Sequence, residues 1–138
     1  MFKEDIERTI GRVLKDDNHK MIYLNWDSIY FIKRYSDDLA FYIKCLDSRD
    51  RNRGVSIEMF FSPIEIPADN VMSLETKIHI HILTVYGDIT DDIFVSAGKK
   101  VISIERNVGN LSNMILEEFN EPYFQRGRLS CYKRACYI

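Results

Sequence analysis

Three stretches of this chain alternate in polarity with a period of two, and that alternation restricts the fold more than any other feature. In "LAFYIKCL" (39–46), Leu39, Phe41, Ile43 and Cys45 fall on one face and Ala40, Tyr42, Lys44 and Leu46 on the other. "VSIEMFF" (55–61) repeats the pattern with Val55, Ile57, Met59 and Phe61 against Ser56, Glu58 and Phe60, and "SLETKIHIHILTVY" (73–86) is the longest such run. Ahead of them, "MIYLNW" and "SIYFIKRY" are rich in the Ile, Tyr and Phe that suit a pleated surface. "SDD" (36–38) offers turn chemistry, because Ser and Asp bond their own backbone, so the segment around it predicts an antiparallel hairpin. "DSRDRNRG" is a charged connection ending in Gly54, and "SPIEIPADN" carries Pro63 and Pro67, which cannot sit in a central ladder. "DIFVSAGKKVISIER" predicts two further short strands around "AGKK", with Gly98 supplying the turn.

The two ends have a different period. Over 2–15, Phe2, Ile6, Ile10, Val13 and Leu14 recur at helical spacing, with Glu4 and Asp5 in the first turn and Lys15 in the last, as the helix dipole favours. From Val108, "VGNLSNMILEEF" spaces Val108, Leu111, Ile115, Leu116 and Phe119 as a second helix, which Pro122 ends. Strands follow one another through short connections, so parallel crossover units are not needed. The expectation is an α+β fold: one antiparallel meander of about five strands, flanked by an N-terminal and a C-terminal helix. The 138 residues suit a single domain, 1–138.

Charged residues are 29% of the chain and hydrophobic ones 46%, with a net charge of −2, which argues against disorder. No apolar run approaches the ~20 residues of a membrane span. "MFKEDIERTI" has no apolar segment of the secretory kind, and the three cysteines are an odd number, so a cytoplasmic, reducing compartment is expected. From Arg126 on, "RGRLSCYKRACYI" holds Arg126, Arg128, Lys133 and Arg134 and no acid. The body before it is therefore acidic and the tail basic.

Catalytic and cofactor signatures are weak. The six glycines form no phosphate loop or dinucleotide fingerprint, and no nucleophile elbow is present. In "KIHIHIL", Lys77, His79 and His81 share one strand face and Ile78, Ile80 and Ile82 the other, so the isoleucines are expected in the core. Two histidines ~7 Å apart on one face can hold one metal, but zinc needs three or four ligands and the sequence offers no clear third. The tandem His-x-Thr/Ser motif of 2H phosphoesterases fails, because Ile80 and Ile82 follow the histidines. The pair reads as a polar strand face. Cys45 reads as core packing, and Cys131 and Cys136 have no histidine close in sequence to make a catalytic thiol. No cofactor, no metal and no enzymatic activity are expected.

Two surface compositions remain, pointing to different partners. Acidic doublets recur at Asp16–Asp17, Asp37–Asp38, Asp91–Asp92 and Glu117–Glu118, with Asp88 and Glu121 nearby. With the aromatics Tyr86, Phe94 and Tyr123 they would form an acidic, aromatic surface that steers and anchors a basic protein partner. The opposite composition, Arg49, Arg51 and Arg53 with Arg126, Arg128, Lys133 and Arg134, interleaves charge with stacking rings, as nucleic-acid binders do. The pI of about 5.9 disfavours that alternative. An exposed edge strand or exposed aromatics would also support a homodimer.

In layout, and in stretches such as "YSDDLAFYIK", "GDITDDIF" and "ILEEFNEPYF", the chain resembles the immunity proteins of bacterial polymorphic-toxin and contact-dependent growth inhibition systems. The resemblance covers the whole chain loosely and carries no diagnostic motif. It implies a small cytoplasmic binding module that neutralises a cognate toxin, often a basic nuclease, by covering its active site with acidic and aromatic side chains.

Overall fold

The computed structural model describes residues 2–25, 27–62, 77–86 and 90–109. Within them the order is α1 (Phe2–Arg8), α2 (Ile10–Asp16), β1 (Lys20–Asn25), β2 (Ser28–Ser36), β3 (Leu39–Asp47), a 3-10 turn (Arg49–Arg51), β4 (Val55–Ser62), β5 (Ile78–Val85) and α3 (Asp91–Gly109). The strands form one sheet in the order β1-β2-β3-β4-β5, antiparallel throughout, so the α+β meander expected from the polarity pattern is present.

The apolar stripe of the N-terminal segment survives as Phe2, Ile6, Ile10 and Leu14, all buried, but the helix is interrupted at Thr9. The Thr9 hydroxyl donates to the Asp5 carbonyl at 2.6 Å, competing with the backbone ladder at that turn. The predicted hairpin around "SDD" forms as expected: Ser36 ends β2, Leu39 starts β3, and the Ser36 Oγ accepts from the Asp38 N–H at 3.2 Å.

The core lies between one face of the sheet and the three helices. Phe31, Phe41, Ile43, Cys45, Ile57, Met59 and Phe61 meet Ile6, Ile10 and Leu14 from the N-terminus and Phe94, Ala97 and Val101 from α3. Burial pushes the Cys45 thiol up to about 12, in keeping with a packing role. The opposite face is also buried where β2, β3 and β4 run side by side: Tyr30, Ile32, Ala40, Tyr42 and Phe60 form a second cluster. Tyr42 and Phe60 stack there with ring centroids 5.1 Å apart, and Lys77 caps the Phe60 ring at 4.7 Å.

The segment predicted as two strands around "AGKK" is instead one helix of 19 residues, α3. Its buried positions, Phe94, Ala97, Gly98, Val101, Glu105 and Val108, follow the period of 3.6. Gly98 makes no turn. It stands where α3 crosses α2, and a Cβ there would lie 3.2 Å from the Val13 Cβ and 3.4 Å from the Ile10 Cα. The helix predicted from Val108 lies beyond the described residues except for its first two positions, which end α3.

Candidate functional site

Pairing of Asp47 with Val55 and of Val55 with Val85 brings the end of β3, the start of β4 and the end of β5 to one end of the sheet. The connection from β3 to β4 turns tightly there. Asn52 and Gly54 both take left-handed backbone (φ 58° and 73°), and the Ser48 N–H donates to the Gly54 carbonyl at 2.9 Å. A Cβ on Gly54 would lie 2.3 Å from the Val85 carbonyl oxygen and 3.2 Å from the Tyr86 ring, so the arginine loop lies directly against Tyr86.

The same end carries the first turn of α3. Asp91 accepts from Arg8 of α1 at 2.7 Å, and Arg8 also reaches Asp5 at 3.3 Å. The Thr90 Oγ1 accepts from the Ile93 N–H at 3.3 Å, a side-chain cap on the start of α3. The Asp5 charge in turn acts on Arg49. Asp91 of the acidic set and Arg49 of the basic set are thus linked through Arg8 and Asp5 on one surface.

Arg49 is already committed. Its Nε and NH2 donate to the two Asp47 carboxylate oxygens at 2.8 Å each, which holds Asp47 below the usual carboxylate range. Arg51, Arg53, Asp91 and Asp92 are exposed. Two large apolar side chains stand in solvent beside these charges, Tyr86 at 68% against the Gly54 loop and Ile93 at 43% in the first turn of α3, while Ile82, at 50%, faces out opposite Glu58 on the other side of the sheet. Phe94, predicted as a surface anchor, is 0% exposed and belongs to the core, because the helical period turns it under α3 while Ile93 faces out. Asp88, Glu117, Glu118, Glu121, Tyr123, Arg126, Arg128, Lys133 and Arg134 lie outside the described residues.

The histidines of β5 do not share a face. The ladder runs Met59↔His81 and then Phe60↔His79, so Ile80 and His81 together oppose Met59 in a β-bulge. His79 joins the second face, where its Nε2 lies 3.5 Å from the Glu58 Oε2. His81 turns toward α3, where burial first and the Lys100 charge second lower its pKa. The bulge also reverses the expectation for Ile82, which is half exposed where Ile78 and Ile80 are buried. A metal bridging His79 and His81 is therefore excluded by direction.

The most constrained polar group is one that the sequence reading did not single out. His19, Glu105 and Tyr35 form a buried chain joining the α2–β1 junction, α3 and the end of β2. His19 Nδ1 lies 2.9 Å from the Leu14 carbonyl, Nε2 lies 2.7 Å from the Glu105 Oε1, and the Tyr35 hydroxyl donates to the Glu105 Oε2 at 2.6 Å. The carbonyl can only accept, so Nδ1 carries a proton. One further proton then sits between Nε2 and Oε1, and the pair is neutral overall whichever atom holds it. Burial first and the Glu105 hydrogen bond second push the Tyr35 hydroxyl pKa up. His19 also closes the C-terminal end of α2, its backbone N–H donating to the Leu14 carbonyl at 3.0 Å.

Asp17, His19 and Glu105 offer ligand atoms within 4.8 Å of one another. The geometry is that of hydrogen bonds rather than of a metal centre. Both ring nitrogens are engaged, and the 2.7 Å between Nε2 and Oε1 is shorter than the ~3.3 Å that tetrahedral bonds of zinc would impose. Among the described residues, no helix is long and apolar enough to cross a membrane. No family model, no curated protein and no solved structure matches the chain.

Proposed function

We propose that this protein acts by binding another protein through the end of the sheet around Tyr86, as an immunity protein binds and neutralises a basic toxin domain. The observation that carries the reading is the exposure of two large apolar side chains beside charge: Tyr86 against the arginine loop, and Ile93 next to Asp91 and Asp92 in the first turn of α3. Exposed apolar side chains rimmed by charge favour a protein partner, and Tyr is among the residues that anchor such contacts. Asp91 and Asp92 add charge suited to steering a basic surface. A nucleic-acid role has less support, since the Arg49 guanidinium is held on both oxygens of Asp47.

The test is affinity capture from the native host on immobilised protein, run beside a Tyr86→Ala/Ile93→Asp variant of equal stability. A stoichiometric basic protein retained by the parent and lost by the variant supports the reading. If that protein is a toxin domain, adding the parent chain at equal concentration should abolish its activity. Equal retention on parent and variant, or retention only of material removed by nuclease, refutes it.

A further inference from the structure

Beyond that surface, we propose that the groove between α2 and α3 is a second docking site, shaped for an acidic amphipathic segment of a partner protein. The groove encloses about 400 Å³ and its apolar floor is made by Val13, Val95 and Ile102, all only partly buried. On α3, Val95, Lys99, Ile102 and Arg106 succeed one another at steps of four, three and four, which places them on one stripe of the helix. The close crossing at Gly98 brings that stripe alongside α2, whose Arg12 lines the facing wall.

The charge along this groove is only partly compensated, with three cations against two acids. Arg12 and Lys99 are exposed and have no carboxylate within ion-pair distance among the described residues. Lys15 on α2 and Arg106 on α3 do have one, in Glu7 and Asp17. Two acids also line the groove. Asp17 is occupied, with Lys33 at 3.3 Å and Arg106 at 3.8 Å, whereas Asp16 stands at the rim without closing a pair to Arg12. Three cations thus border an apolar floor with one unengaged acid among them. An amphipathic helix laid along the groove would put its apolar face on Val13, Val95 and Ile102 and its carboxylates on Arg12, Lys99 and Arg106. Desolvation along such a contact makes each of those charge-assisted hydrogen bonds stronger than the same pair in open water.

The test uses the full chain and a fluorescein-labelled peptide in which Leu and Glu alternate at helical spacing, read by fluorescence anisotropy. The comparison peptide carries Lys at every Glu position. The expected result is binding of the Glu peptide that weakens with salt, no comparable binding of the Lys peptide, and a loss of at least tenfold in affinity on Arg12→Glu/Lys99→Glu. The milder Arg12→Gln/Lys99→Gln should give a smaller loss in the same direction, which guards against a folding defect in the reversed pair. Tyr86→Ala should leave the affinity unchanged, separating this site from the one at the sheet end. Equal binding of both peptides, absence of binding by the Glu peptide, or an affinity indifferent to Arg12 and Lys99 would overturn the proposal.

Discussion

The buried chain of His19, Glu105 and Tyr35 makes a prediction whose size follows from its geometry. The side chains of His19 and Glu105 are 0% and 2% exposed, so neither can recover its lost partner by turning to water. Glu105→Ala leaves the His19 and Tyr35 donors without an acceptor, and His19→Ala leaves the carboxyl group with Tyr35 alone. Breaking a buried pair from one side costs about 3–5 kcal/mol. That is a large share of the ~5–15 kcal/mol that holds a domain folded. With a urea dependence of about 2 kcal/mol per molar, each variant should unfold roughly 1.5–2.5 M earlier, followed by circular dichroism at 222 nm. The double variant removes both stranded groups at once, so it should cost at least ~2 kcal/mol less than the sum of the two single changes. Glu105→Gln supplies an internal control. Its amide oxygen can accept from Tyr35 while its N–H donates to a neutral His19 that keeps Nδ1–H on the Leu14 carbonyl. All three hydrogen bonds persist, and the cost should be only ~1 kcal/mol. Strict additivity of the two alanine changes, or a cost for Glu105→Gln equal to that of Glu105→Ala, would refute the reasoning.

Other consequences are independent of that pair. Gly54→Ala should destabilise by more than the ~1–2 kcal/mol of left-handed backbone alone, because its Cβ would also meet the Val85 carbonyl, and a thermal melt equal to the parent's would contradict this. His81 has a folded pKa below its ordinary 6.5, so the unfolded chain takes up this proton first and stability declines as pH falls below that value. Lys100→Gln should move the His81 ring titration partway back toward 6.5 by NMR, and only partway because burial is the larger cause. Cys45, buried and with its thiol pushed up to about 12, should remain unmodified when the native protein meets N-ethylmaleimide briefly and is then mapped by mass spectrometry.

The strands were legible because alternation is a property of a few adjacent residues. Leu39, Phe41, Ile43 and Cys45 show it within seven positions, and they form the core face as expected. The helix over 91–109 was not legible in the same way. Its buried stripe is diluted by Ile93, Val95, Ile102 and Ile104 on other faces, and "KVISIE" alternates over a short window as a strand would. The deciding signal was at the boundary: Thr90, followed by Asp91 and Asp92, is a helix start, and Thr90 does cap it. Reading those residues as a break between strands sent Phe94 to the surface and Gly98 to a turn.

The candidate site was legible in composition but not in arrangement, and the reason lies in pairing across the chain. Asp91 and the arginines of 49–53 appear in the sequence as separate acidic and basic features that argue for opposite partners. The sheet end places them together, where Arg8 answers Asp91 and Asp47 answers Arg49. Exposed pairs of this kind contribute little to stability, and the opposite charge beside each weakens, without cancelling, its pull on a distant ligand. What then distinguishes this end is its apolar content, Tyr86 and Ile93, whereas Ile82 faces out on the other side of the sheet. Ile82 is exposed because a one-residue bulge at Ile80 and His81 shifts the strand's facing. Association at this surface should therefore depend more on truncating Tyr86 than on reversing Asp91. Tyr86→Ala should weaken the complex by ~2 kcal/mol or more, mainly through faster dissociation, whereas Asp91→Lys should mainly slow association at low salt. Surface plasmon resonance against the captured partner separates the two, and a Tyr86→Ala variant that dissociates at the parent's rate would show that the apolar group is not the anchor.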